Sequence, residues 1–142
     1  MRKVMILNGP NLDQLGTREP EIYGAQTLID IENLCKEFAN KHEMDIDFRQ
    51  SNNEADLIEW LHEAAQSSTP VIINPAAYTH TSVAIRDAAA ALKAPLIEIH
   101  LSNPLTREEF RHTSLISGIA RGTISGFGAN SYILAIQALI NL

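Results

Sequence analysis

Val4-Met-Ile-Leu7 runs into Asn8-Gly-Pro-Asn-Leu-Asp-Gln-Leu-Gly-Thr-Arg-Glu-Pro-Glu-Ile-Tyr-Gly24, and the reading of the chain turns on this stretch. The apolar run, taken from Lys3 to Leu7, reads as a buried strand stopped by Gly9-Pro10. Gly9, Gly16 and Gly24, with Pro10 and Pro20, exclude a continuous helix or central strand over the remainder. A helical pattern resumes only near Thr27. The connection is therefore a long loop, where about two to six residues suffice in an ordinary α/β unit. Its arginine, tyrosine and side-chain amides suit a functional loop, part fixed and part lid, with the lid around residues 16–24.

The rest of the chain repeats the strand-then-helix alternation. Leu28, Ile31, Leu34, Cys35 and Phe38 form one face of a helix over 27–42, with Thr27 as its N-cap and Asp30 completing a capping box. Residues 44–49 alternate as an edge strand, and Leu57, Ile58, Leu61 and Ala65, widened by Trp60, give the next helix its core stripe. Val71 to Asn74 is a third strand, residues 81–93 an alanine-rich helix, and residues 95–99 a fourth strand. A helical turn is expected over 107–111, a fifth strand over 122–125 and a closing helix over 129–142. Its apolar face comprises Tyr132, Ile133, Ile136, Leu139 and Ile140. Five strands alternating with helices predict a three-layer α/β sandwich around a parallel sheet, of flavodoxin-like order 2-1-3-4-5.

At 142 residues the chain is read as a single catalytic domain. The net charge of -6, without a cluster of Lys and Arg, argues against a nucleic-acid surface. The one cysteine, Cys35, excludes an internal disulfide and a Cys-based zinc site, and its place in a helical core stripe suits an inert thiol. No apolar run reaches the roughly 18 residues of a membrane span. Only four apolar residues follow the basic start, too few for a signal peptide, so a soluble cytoplasmic protein is expected. The histidines lack metal-ligand spacing, and the dinucleotide and P-loop glycine patterns are absent, so neither a metal nor a nucleotide cofactor is expected.

In such a fold the site lies beyond the carboxyl ends of the strands. Asn8 to Asn11, Asn74 to His80, and His100-Leu101-Ser102 all fall there. Period two puts Glu98 and His100 on one face, where a carboxylate can hold an imidazole as a general acid. Tyr23 could act as a base if Arg18, five residues earlier, favours its phenolate over a free phenol of pKa about 10. Asn74 is a candidate for neutral hydrogen bonds to a hydroxylated ligand, with His80 beside it. Capping explains Thr79, Thr81 or Ser82 equally well, and that reading is kept for them. Arg111 is either a ligand clamp or a surface partner of Glu108.

With these residues laid out, the chain resembles the type II 3-dehydroquinate dehydratases. The resemblance rests on Leu7-Asn-Gly-Pro-Asn-Leu12, Gly16-Thr-Arg-Glu-Pro-Glu-Ile-Tyr-Gly24, Gln50-Ser-Asn52, Ile73-Asn-Pro-Ala76 with Thr79-His-Thr-Ser82, Glu98-Ile-His-Leu-Ser-Asn103, Arg107-Glu-Glu-Phe-Arg-His112 and Gly126-Phe-Gly128. These run in order over nearly the whole chain. The family implies dehydration of 3-dehydroquinate to 3-dehydroshikimate in the shikimate route, through an enolate and without metal or organic cofactor. By that likeness Tyr23 is the base and Arg18 supports its phenolate and the enolate. Asn11 holds a water at the enolate oxygen, and His100, oriented by Glu98, is the acid. Asn74, His80, Arg111 and the Leu101-Ser102 backbone contact substrate, Asp87 reaches it from a neighbouring subunit, and trimers group into dodecamers. Asp13 and Thr113 depart from the family pattern. A flavodoxin-like module that only binds a ligand or cofactor is the alternative, and it leaves Arg18, Tyr23 and His100 unexplained.

Overall fold

The computed structural model describes residues 1–17, 21 and 25–142. The elements run β1 (Arg2–Asn8), α1 (Leu28–Asn40), β2 (Met44–Gln50), α2 (Glu54–Ser67), β3 (Val71–Asn74), α3 (Tyr78–Thr81), α4 (Val83–Ala90), β4 (Leu96–His100), β5 (Gly122–Ser125) and α5 (Asn130–Ile140). Short 3-10 turns cover Leu12–Gln14, Pro104–Thr106 and Glu109–Arg111. All neighbouring strands pair in parallel, in the order β2-β1-β3-β4-β5. The expected sheet, its order and the edge position of β2 all hold.

Side-chain alternation along the strands divides the interior into two layers. Val4, Ile6, Ile72, Ile97 and Ile99 pack against Ile31, Cys35 and Ala39 of α1 and against Tyr132, Ala135, Ile136 and Leu139 of α5. On the opposite face Met5, Leu7, Val71, Ile73 and Leu96 meet Leu57, Leu61 and Ala64 of α2 and Ile85, Ala88 and Ala89 of α4. Fully burying each large aliphatic side chain stabilises the fold by roughly 1.5–3 kcal/mol. The α2 stripe passes through Ala64, whereas Ala65 is only half-buried.

Local chemistry accounts for the helix starts. Thr27 and Asp30 form the expected capping box, each side chain bonding the other's backbone N–H at 3.0–3.1 Å. The single helix expected over 81–93 is instead two helices, α3 and α4. Ser82 breaks between them with extended backbone, and its hydroxyl accepts the Ile85 N–H at 2.9 Å as the α4 N-cap. The turn expected over 107–111 is present as the 3-10 turn Glu109–Arg111, and a further turn at Pro104–Thr106 precedes it, capped by Asn103 accepting from the Leu105 N–H.

The β1 and β3 ends are bound closely together. The Gly9 N–H donates to the Asn74 carbonyl at 2.8 Å, and a Cβ at Gly9 would stand 2.4 Å from the Pro75 carbonyl oxygen. Glycine is required there because two backbones meet with no room for a methyl group. Gly9→Ala should therefore lower stability by about 1–3 kcal/mol, because a backbone must shift. Urea unfolding read by circular dichroism checks this, and an unchanged midpoint would mean that the two loop bases separate freely.

Candidate active site

The carboxyl ends of β1, β3 and β4 open onto a cavity of about 190 Å³. Its wall includes Asn11, Asn74, His80, His100, Leu101 and Ser102 among the expected residues, and Arg111 from the third 3-10 turn. Leu12, Gln14, Leu15 and Arg107 also line it, and sequence reasoning did not single them out as site residues. Arg107 and Arg111 keep 14% and 20% of their side chains exposed, so neither is an ordinary surface cation.

Glu98 is the electrostatic centre of this region. It projects from β4 on the α2/α4 face and is 1% exposed. Thr79 Oγ1 donates to its Oε2 at 2.6 Å, Ser117 Oγ to its Oε1 at 2.6 Å, and Ser114 Oγ lies 2.9 Å from both oxygens. His100 Nε2 donates to Oε2 at 2.5 Å. Burial alone would raise the carboxyl, but bonds from His100, Ser117 and Thr79, with the imidazole's charge, bring it down to about 2. Glu98 is an anion at any neutral working pH. Because its carboxylate takes Nε2, the Nδ1 edge of His100 is the one left to exchange a proton.

His80 is fixed by a different acceptor. Its Nδ1 donates to the Thr113 carbonyl at 2.8 Å, since a carbonyl cannot donate. The neutral ring then offers Nε2 as an acceptor. The His80 and His100 rings lie nearly parallel with centroids 6.5 Å apart. Arg111 lines the cavity while its Nε donates to Glu108 at 3.1 Å, the surface pairing considered for it.

The loop base is held in place through Asn52. Its Oδ1 accepts from the Asn11 N–H at 2.9 Å and from Gln50 Nε2 at 3.1 Å, and Gln50 also donates to the Gly9 carbonyl. Asn11 takes a left-handed φ of 69°, which asparagine tolerates better than most residues. Ala76, also on the cavity wall, is held at φ 52° with its N–H on Asn74 Oδ1.

Arg18 and Tyr23, expected as charge stabiliser and base, lie outside the described residues, as does most of the lid segment. Asp87 is not at the cavity of its own chain. It is exposed on α4 with its carboxylate 3.1 Å from Arg86. Asp13 is exposed beside Gln14, and Thr113 meets His80 through its backbone, so neither departure puts a side chain on the described acid.

Thr79 is not a helix cap, contrary to the capping role expected of it, whereas Ser82 is one. It is fully buried and serves Glu98. Ser114 and Ser117 were missed altogether. A glutamate inside an apolar strand signals a need for donors, and the hydroxyl-rich segment following His112 could have supplied that clue.

A doubly wound α/β domain with a carboxylate–imidazole pair at its strand ends is the class that fold and site define. The family model described as Dehydroquinase class II matches residues 2–140, and the chain belongs to this family. It is 57% identical over 139 residues to a 3-dehydroquinate dehydratase of Rhizobium meliloti (strain 1021), covering 98% of this chain and 94% of that protein. The type II dehydroquinase structure from Propionibacterium acnes superposes with a TM-score of 0.98 at 44% identity, covering 100% and 98% of the two chains. The type II dehydroquinase from Butyrivibrio crossotus DSM 2876 gives 0.95 at 40% identity, covering 99% and 98%.

The depressed Glu98 pKa has a consequence for stability. A carboxyl lowered from 4.5 to about 2 on folding contributes fully above pH 4.5. That contribution, on the order of 3 kcal/mol, is lost as pH falls towards 2. Denaturant unfolding at pH 7 and pH 3 should show the wild-type protein losing more stability on acidification than Glu98→Gln. Equal acid losses in both proteins would place the sensitive carboxyl elsewhere.

Proposed function

We propose that this chain dehydrates 3-dehydroquinate to 3-dehydroshikimate, the hydro-lyase step of the shikimate route to aromatic amino acids. Membership of the dehydroquinase family supports the substrate. The observation that carries the chemistry is the ionised, hydroxyl-saturated Glu98 holding His100 at the wall of a strand-end cavity.

In this reading Tyr23, as phenolate, removes a proton from the carbon next to the ketone. The electron pair moves onto the ketone oxygen as an enolate. Arg18 favours the phenolate and offsets the developing charge, while Asn11 helps hold a water at the enolate oxygen. Collapse of the enolate expels the hydroxyl across the new double bond. His100 gives that group its Nδ1 proton, so that water leaves. Glu98 keeps the imidazole oriented and balances its charge while it is protonated. Tyr23 ends protonated and His100 deprotonated, and exchange with solvent restores both.

Asn74 and Arg111 supply donors to the ligand's hydroxyl and carboxylate oxygens, His80 Nε2 accepts from a hydroxyl, and the Leu101-Ser102 backbone completes the contact. Residues 16–24 act as a lid that excludes water and strengthens these electrostatic terms. Asp87, turned away from its own cavity, serves that of an adjacent subunit in trimers that group into dodecamers. The protein works in the cytoplasm.

The test is a direct assay with 3-dehydroquinate, following the ultraviolet absorbance of the conjugated enone. Turnover is expected with wild type. Tyr23→Phe should fall by at least about 10²-fold while still binding substrate, because only the basic oxygen is removed. His100→Ala should fall comparably. Wild-type rates in Tyr23→Phe would put the base elsewhere, and a folded, assembled but inactive wild type would overturn the assignment.

A further inference from the structure

Tyr132 is the largest fully buried side chain among the described residues, and its hydroxyl lies in the middle of a one-way chain of hydrogen bonds. The chain begins at the Arg49 carbonyl of β2, which can only accept. Asn8 must therefore turn its Nδ2 towards that carbonyl, and does so at 2.9 Å. Asn8 Oδ1 is left facing α5, where it takes the single proton of the Tyr132 hydroxyl at 2.6 Å. With its proton committed, the phenol oxygen can only accept, and Asn74 Nδ2 donates to it at 3.1 Å. Asn74 Oδ1 then accepts from the Ala76 N–H at 3.2 Å.

Each link in this sequence forces the next, and both ends agree. Reversing the Asn74 amide would set an oxygen against the committed phenol oxygen and an NH₂ group against the Ala76 N–H. Burial makes either mismatch costly. Asn8 and Tyr132 are themselves 0% exposed, and neither lines the cavity. Asn74 does line it, and its second Nδ2 hydrogen remains available for a ligand oxygen.

We propose that Tyr132 is a positioning residue for substrate binding, anchored by Asn8, that sets which way round the Asn74 amide stands at the cavity wall. It thereby makes Asn74 a donor to a hydroxyl or carboxylate oxygen of the ligand. The assignment rests on the dehydratase reading for its substrate, but the amide relay itself does not.

The experiment has two arms. In the first, steady-state kinetics with 3-dehydroquinate compare wild type, Tyr132→Phe, Asn74→Ala and the double variant. Tyr132→Phe removes only the hydroxyl, so KM should rise roughly tenfold while kcat stays within about threefold of wild type. In the Asn74→Ala background the same change should move KM by less than about twofold, because its target is gone. A full KM rise in that background, or a wild-type KM in Tyr132→Phe, would overturn the proposal.

The second arm needs no activity. In asparagine-¹⁵N-labelled protein, the Asn74 side-chain amide should show slow hydrogen exchange in wild type and markedly faster exchange in Tyr132→Phe. An unchanged Asn74 signal would reject the relay. An inactive wild type with the expected amide response would reject the dehydratase reading and keep the relay. Should Tyr132→Phe prove insoluble, Asn8→Ala tests the same point, because it frees the phenol proton to turn towards Asn74 and predicts the same KM rise and amide response.

Discussion

A carboxylate without water is the constraint around which this molecule is arranged. Glu98 stands in a parallel strand whose neighbours along the chain are Ile97 and Ile99, in a setting that penalises charge severely. Three hydroxyls and one imidazole make its ionised state tolerable, and they come from α3, the segment after His112 and the strand itself. The short helix α3 and the long excursion from β4 to β5 both contribute to this cage. Removing any one donor would leave part of the desolvation cost uncovered. That demand restricts the positions of Thr79, Ser114, Ser117 and His100 together, and so sets one wall of the cavity.

The opposite wall depends on amides rather than charge. Asn8, Asn52 and Asn74 stand at or just beyond the ends of strands, where parallel pairing stops and backbone groups need new partners. An amide can donate and accept at once, so it can fasten one loop to the next without adding net charge. The cavity therefore combines a fixed anion behind His100 with a neutral hydrogen-bonding surface. Arg107 and Arg111 bring positive charge to the rim, compatible with an anionic ligand in a protein of net charge -6.

Much of this was legible in the sequence because it follows from period and composition. Val71 to Asn74 and Gly122 to Ser125 were read at their observed bounds, and the Thr27-Asp30 capping box was visible from spacing alone. The Glu98–His100 pairing followed from strand alternation, and His80, Asn11, Asn74 and Arg111 do reach one cavity. What escaped were features decided by long-range contact. Ser82 was read as a cap and is one, but the separate short helix before it was not foreseen, because that break depends on packing in three dimensions. Tyr132 fits the apolar stripe of α5, so its hydroxyl's partners, far away along the chain, carried no local signal. Thr79 looked like a cap because capping is the common use of a threonine beside a helix. Its true partner, Glu98, lies on β4, far along the chain.

The split of the interior into two layers has a consequence for how such a protein can change over generations. Glu98 and His100 look towards the α2/α4 layer, whereas Asn8 and Asn74 look towards α1 and α5, although His100 and Asn74 line one cavity. A substitution drifting into α5 is felt first by the amide side of the cavity, and one in α4 by the carboxylate–imidazole side. The two sets of groups thus sit on separate hereditary dials. Lineages can retune one while the sheet insulates the other.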